Sequence, residues 1–77
     1  MKNTFGHVLR QHRLRRELSQ VGVATLAGLE QAHLCGIECG YRSCSLEMAI
    51  RIAKALEAAR PGRSSVVNDV LSQVQGA

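Results

Sequence analysis

Seventy-seven residues leave room for one small core and for no separate catalytic lobe. Ten Lys and Arg against six Asp and Glu give a formal charge of +4 and a pI near 9.5, a balance that permits an anionic partner. A single Phe and a single Tyr argue against a stacking platform for single-stranded nucleic acid, and three cysteines, an odd number, argue against a disulfide framework. No apolar run approaches the roughly 20 residues of a membrane span and no secretory h-region is visible, so a cytoplasmic protein with no membrane partner is expected.

The periodicity is helical throughout, with no stretch alternating at period two, and the fold expected is all-α with five short helices. Thr4 can cap a first helix through "FGHVLRQHRLRREL", with Phe5, Val8, Leu9 and His12 on one face, Arg10 and Glu17 pointing away and Arg13 at the edge. Ser19 can cap a second, "QVGVATLA", whose apolar residues are Val23, Ala24 and Leu26. Gly28 supplies a turn, and "LEQAHLCGIEC" makes a third helix closed by Gly40. Ser45 caps a fourth, "LEMAIRIAKALEAA", in which Leu46, Met48, Ala49, Ile50, Ile52, Ala53 and Leu56 cover more than half the circumference. A helix that apolar belongs in the middle of the core. Pro61 and Gly62 end it. A last helix from about Ser65 carries Val66, Val67, Val70, Leu71 and Val74 on one stripe, with Asn68, Asp69, Ser72 and Gln75 opposite.

The order and spacing of Ser19-Gln20, Leu26-Ala27-Gly28-Leu29, Ile37-Glu38-x-Gly40 and Ser45-Leu46-Glu47 resemble a known family. Across Ser19 to Leu56 the chain is similar to the helix-turn-helix of phage repressors of the lambda Cro and CI type and of Xre-like regulators. "FGHVLRQHR" looks like that family's first helix, so about two thirds of the chain is covered. The resemblance implies one lambda-repressor-like domain over residues 1–77, with a four-helix core at 4–58 and a C-terminal helix at 65–75. It implies double-stranded DNA as partner and a homodimeric repressor or autoregulator on a palindromic operator. It implies no enzyme and no cofactor. Relatives of this size include antitoxins, so the rival reading is a protein-binding module that masks a partner such as a cognate toxin.

The second helix of the motif would be the one in the major groove. With Gln31 at 0° and about 100° per residue, Leu34, Ile37 and Glu38 fall between about 240° and 340° and face inward, while Gln31, Ala32, Cys35, Gly36 and Cys39 spread over the outward arc. Gln31 is the best candidate for base reading, because an amide can bond adenine N6 and N7 together. Ala32 could touch a thymine methyl. Gln20 matches a family position that reaches the backbone, and Tyr41, Arg42 and Ser43 follow Gly40 where phosphate could be met. Arg10, Arg15 and Arg16 either add to the field or form a solvated face. Against sharp specificity stand Cys35, Gly36 and Cys39 on the outward arc and Glu30, a poor N-cap that would repel phosphate.

In the family the residue matching Glu38 pairs with an Arg of the first helix, here Arg13. The resemblance thus implies a structural ion pair, against the alternative of two solvated charges that never meet. Cys35 and Cys39, four residues apart, share a helix face, while His33 points about 160° away and Cys44 lies in the following loop. Two or three ligands do not make a tetrahedral zinc site, so no metal is expected. Cys35 and His33 cannot act as nucleophile and base, which need hydrogen-bond reach. The thiols either replace small residues without chemistry of their own or form a redox switch on the DNA-facing side. The last helix either forms the two-fold contact through Val66, Val67, Val70, Leu71 and Val74 or merely closes the monomer core.

Overall fold

The computed structural model of the chain describes residues 4–62 and 65–75. Five helices follow one another: α1 (Thr4–Arg15), α2 (Gln20–Ala27), α3 (Gln31–Cys39), α4 (Leu46–Ala59) and α5 (Val66–Gln75). Ser19 Oγ accepts from the Gly22 amide at 3.0 Å and Ser45 Oγ from the Met48 amide at 3.1 Å, so α2 and α4 begin at side-chain caps. Gly28 and Gly40 end α2 and α3 at φ 77 and 88, the left-handed conformation that glycine adopts without a Cβ penalty. The amides of Leu29 and Tyr41 then bond back to Ala24 and Gly36 at 2.8 Å, closing two Schellman-type ends.

Helix α4 is the centre. It packs against α1, α2 and α5, while α1 also meets α3 and α5, and α2 meets α3. Ala49, Ile52, Ala53, Ala55 and Leu56 of α4 join Leu9, Val23, Ala24, Ala27, Leu34, Ile37, Val66 and Val70 in one continuous buried core. The α1–α3 crossing is close because Gly6 sits there. A Cβ at that position would collide with the Ile37 carbonyl oxygen.

The first helix stops at Arg15 rather than continuing to Leu18, because Glu17 turns the chain at φ 56 and Arg13 bonds the Leu18 carbonyl. The third helix starts at Gln31, with Leu29 and Glu30 in the turn; Glu30 makes no side-chain cap. Leu26 is 58% exposed, and Ala27 takes the core position instead. Arg16 is no part of a solvated face. It is buried, bonded through Nε to the Arg60 carbonyl at 2.8 Å, and Arg60 returns a bond to the Arg16 carbonyl at 2.9 Å.

Helix α5 is tied down by polar contacts as well as by valines. Arg16 Nη1 lies 2.9 Å from His12 Nδ1, and His12 Nε2 lies 2.6 Å from Asp69 Oδ2. A guanidinium only donates, so Nδ1 must accept and the Nε2–H donates to Asp69. His12 is thus held as one tautomer between α1 and α5. At the start of α5, Glu57 Oε2 accepts from the amides of Val66 and Val67 at 2.7 and 3.3 Å and from the Ser65 hydroxyl at 3.2 Å. Burial, the largest single influence, pushes the Glu57 carboxyl up, but these bonds and the nearby Arg16 together bring it below its ordinary value. Val66 and Val70 are fully buried inside the monomer, which leaves only half-buried Val67 and Leu71 of the described stripe near the surface. The side chain of Val74 lies outside the described residues.

Candidate nucleic-acid interface

The helical pair α2–α3, joined at Gly28, presents α3 with one buried and one open side. Leu34 and Ile37 are fully buried, and Glu38 is buried with them. A carboxylate in that position must be paired. Arg13 supplies the pairing with a two-pronged contact, Nε to Oε2 at 2.8 Å and Nη2 to Oε1 at 2.9 Å. The hydrogen bond to Glu38 is the main reason the guanidinium holds its proton above the ordinary arginine range, against the opposing effect of burial. A third arginine nitrogen, Nη1, reaches the Leu18 carbonyl at 2.8 Å, so the same side chain fixes the loop entering α2.

The site grows outward from that pair. Gln20, at the first position of α2, donates Nε2 to Glu38 Oε1 at 3.0 Å. Its Oε1 then accepts from Gln31 Nε2 at 3.3 Å. A carboxylate can only accept, so every amide in the series has one permitted orientation. Exposed Gln31 is left with its carbonyl oxygen and one N–H that take no further protein partner among the described residues. That is the pattern complementary to the N6 and N7 edge of adenine in the major groove.

The structure brings Gln31, Ala32, Cys35 and Cys39 to the outward side of α3, with Cys35 half-buried and the other three exposed. Gly36 does not belong there. It is buried, and a Cβ on it would press on the Arg42 side chain at 2.9 Å, so Arg42 folds back over α3. The aliphatic part of Arg42 covers Gly36 while the residue as a whole stays exposed. Tyr41, 88% exposed, and Ser43 stand beside it at the end of α3. The bonds of Gln20 to both Glu38 and Gln31 were not legible in the sequence, where its family position pointed only to the DNA backbone. The signal was available only as the 11-residue and 18-residue separations of three polar side chains.

The thiols Cys35 Sγ and Cys39 Sγ lie 3.9 Å apart. The contact with Cys35 is the largest cause that pushes the Cys39 thiol up, helped by partial desolvation and Glu38 and opposed by nearby Arg10. Burial alone pushes Cys44 up. Among the described residues no group of three or more His, Cys, Asp and Glu is arranged to hold a metal ion, and no helix is long and apolar enough to cross a membrane.

Comparison with known families decides what this helical pair is. The family described as "Helix-turn-helix domain" matches residues 4–66. The chain belongs to the helix-turn-helix family. The match runs from the start of α1 to the first residue of α5, so α1 to α4 lie within it. No curated protein and no solved structure matches the chain. As a helix-turn-helix domain, the protein is of the class that binds DNA and regulates transcription.

Proposed function

We propose that the protein is a transcriptional repressor or autoregulator that binds double-stranded DNA sequence-specifically as a homodimer on a palindromic operator. The observation that supports this reading is the oriented amide series Glu38–Gln20–Gln31, which ends at the exposed amide of Gln31 on the second helix of the motif. Gln31 reads adenine, and Ala32 packs on a neighbouring thymine methyl. Gln20, Tyr41, Arg42 and Ser43 hold the phosphate backbone and so set the register of α3 in the groove. Cys35 lies within the base-facing arc. The net positive charge strengthens the encounter without adding specificity.

One α3 contacts too few bases for a useful affinity, so two copies act together on half-sites about one helical turn, roughly 34 Å, apart. Since Val66 and Val70 are committed to the monomer core, the two-fold contact uses the outer edge of α5, at Val67 and Leu71. Residues 1–77 act as one domain in this reading, with α5 serving both core and interface, in the cytoplasm.

The test is selection from a randomised duplex pool with the reduced protein. Enrichment of a palindrome with two half-sites is expected. Failure to enrich any sequence would reject sequence-specific regulation and direct the search to a protein partner.

A further inference from the structure

Cys35 and Cys39 take no part in the amide series or in the core, yet they form a contacting thiol pair on the outward side of α3. What such a pair can hold follows from geometry. Residues four apart on a helix have Cβ atoms about 5–6 Å apart, whereas a disulfide needs about 3.5–4.5 Å. A direct S–S bond therefore requires the helix to open. A single atom inserted between the sulfurs does not. At bonds of about 2.3 Å, typical of thiolate ligation, an atom bridging two sulfurs 3.9 Å apart subtends about 115°.

The bridging atom must also satisfy its remaining valences without help from the protein. No third His, Cys, Asp or Glu is grouped with the two thiols among the described residues. A bare zinc-like ion would be left with half its ligands to find in solvent. A trivalent arsenic atom carrying one organic substituent needs only two more bonds, both preferably to sulfur. We propose that Cys35 and Cys39 form a dithiol site for a monosubstituted trivalent arsenical, and that its occupation releases the protein from DNA. The release rests on the DNA-binding reading above; the site itself does not.

The reaction is a condensation. Each thiol S–H bond and each As–OH bond breaks, two As–S bonds form, and the two thiol protons leave on the two hydroxides as water. Arsenic stays trivalent and the sulfurs stay at the thiol oxidation level, so no oxidant is required. The bridged product lies on the outward side of α3, with Gln31 one helical turn before Cys35, on the side that would face the base edges.

Phenylarsine oxide tests this on the reduced full chain. Mass spectrometry is expected to find one adduct on the wild type and on Cys44→Ser that survives excess glutathione, a monothiol, and is removed by dithiothreitol, a dithiol. Cys35→Ser and Cys39→Ser are each expected to lose the glutathione-resistant adduct. Persistence of that adduct in either variant, or its absence from the wild type, would overturn the site. On a selected duplex the adduct is expected to weaken binding by about tenfold or more, the scale of one lost base contact. Unchanged affinity of the adduct would overturn the release. A protein that binds no duplex but still forms the adduct would reject the DNA-binding reading, and the release with it, while leaving the dithiol site standing.

Discussion

Gln20 Nε2 donates to Glu38 Oε1 across 3.0 Å, and through this one bond a buried carboxylate sets the orientation of a surface amide. Glu38 cannot donate, so Gln20 must turn its NH2 inward and its oxygen towards Gln31. Without Gln20, the Gln31 amide is free to present either end. Gln20→Ala is expected to cost stability on the scale of one hydrogen bond to a charged group, about 1.5–3 kcal/mol. It should also lower the preference for adenine at the position that Gln31 reads. Urea unfolding together with binding to base-substituted duplexes checks both halves.

The Arg13–Glu38 pair is strongly asymmetric in its environment, with side chains 11% and 1% exposed. Removing Arg13 alone leaves a buried carboxylate without its counter-charge, held only by the bond from Gln20. Such a change typically costs about 3–5 kcal/mol, and replacing both partners with apolar groups costs less than the two single changes together. Arg13→Met and Glu38→Leu should each destabilise strongly. The double variant should recover much of the loss in a denaturant-melting cycle. Additive losses would mean that the pair is not coupled.

Acid should loosen α5 through Glu57. Its folded-state pKa lies below the ordinary glutamate value, because the amides of Val66 and Val67 and the Ser65 hydroxyl outweigh desolvation. The stabilisation is therefore complete above the unfolded-state value, near 4.3, and disappears as pH falls through the lower folded-state value. Glu57→Gln should be less stable than the wild type at neutral pH, and the gap should shrink once the pH falls below the unfolded-state value and close as it passes below the folded-state one. Thermal melts from pH 7 to pH 3 measure it. A gap that stayed constant with pH would show that the charge of Glu57 contributes nothing.

Gly6→Ala sets two effects against each other. Alanine favours a helix over glycine by about 1 kcal/mol. Yet the added Cβ collides with the Ile37 carbonyl, which is backbone and cannot rotate away. Separation of α1 from α3 should dominate, for a net loss of about 1–3 kcal/mol as in other overpacked sites. A melting temperature above that of the wild type would contradict the close crossing.

The sequence was most legible where single residues carry local signals. Ser19 and Ser45 fixed the starts of α2 and α4, and Gly28 and Gly40 fixed the ends of α2 and α3. Both ends of α2 and α4 agree with the pattern read from the chain. The misses share a cause, a partner distant in sequence. Arg16 reads as surface charge until Arg60, 44 residues later, encloses it. Gly36 reads as outward until Arg42 folds over it. Glu17 gave no warning of its left-handed turn, since nothing in a Glu favours φ 56. Leu26 and Ala27 are adjacent, and periodicity favoured the larger side chain, whereas it is Ala27 that the core buries. In the candidate site, the individual glutamines were visible but their order of donation was not, because it depends on the buried Glu38 accepting from Arg13 and Gln20.

In the proposed complex Gln31, held by Gln20, reads one base pair in each half-site. Wild type and Gln31→Ala can be compared on a selected duplex and on variants changed one base pair at a time. The wild type is expected to lose about 1–3 kcal/mol at one adenine per half-site, and Gln31→Ala to lose this discrimination there and nowhere else. Equal discrimination by the two proteins at every position would show that Gln31 does not read the base.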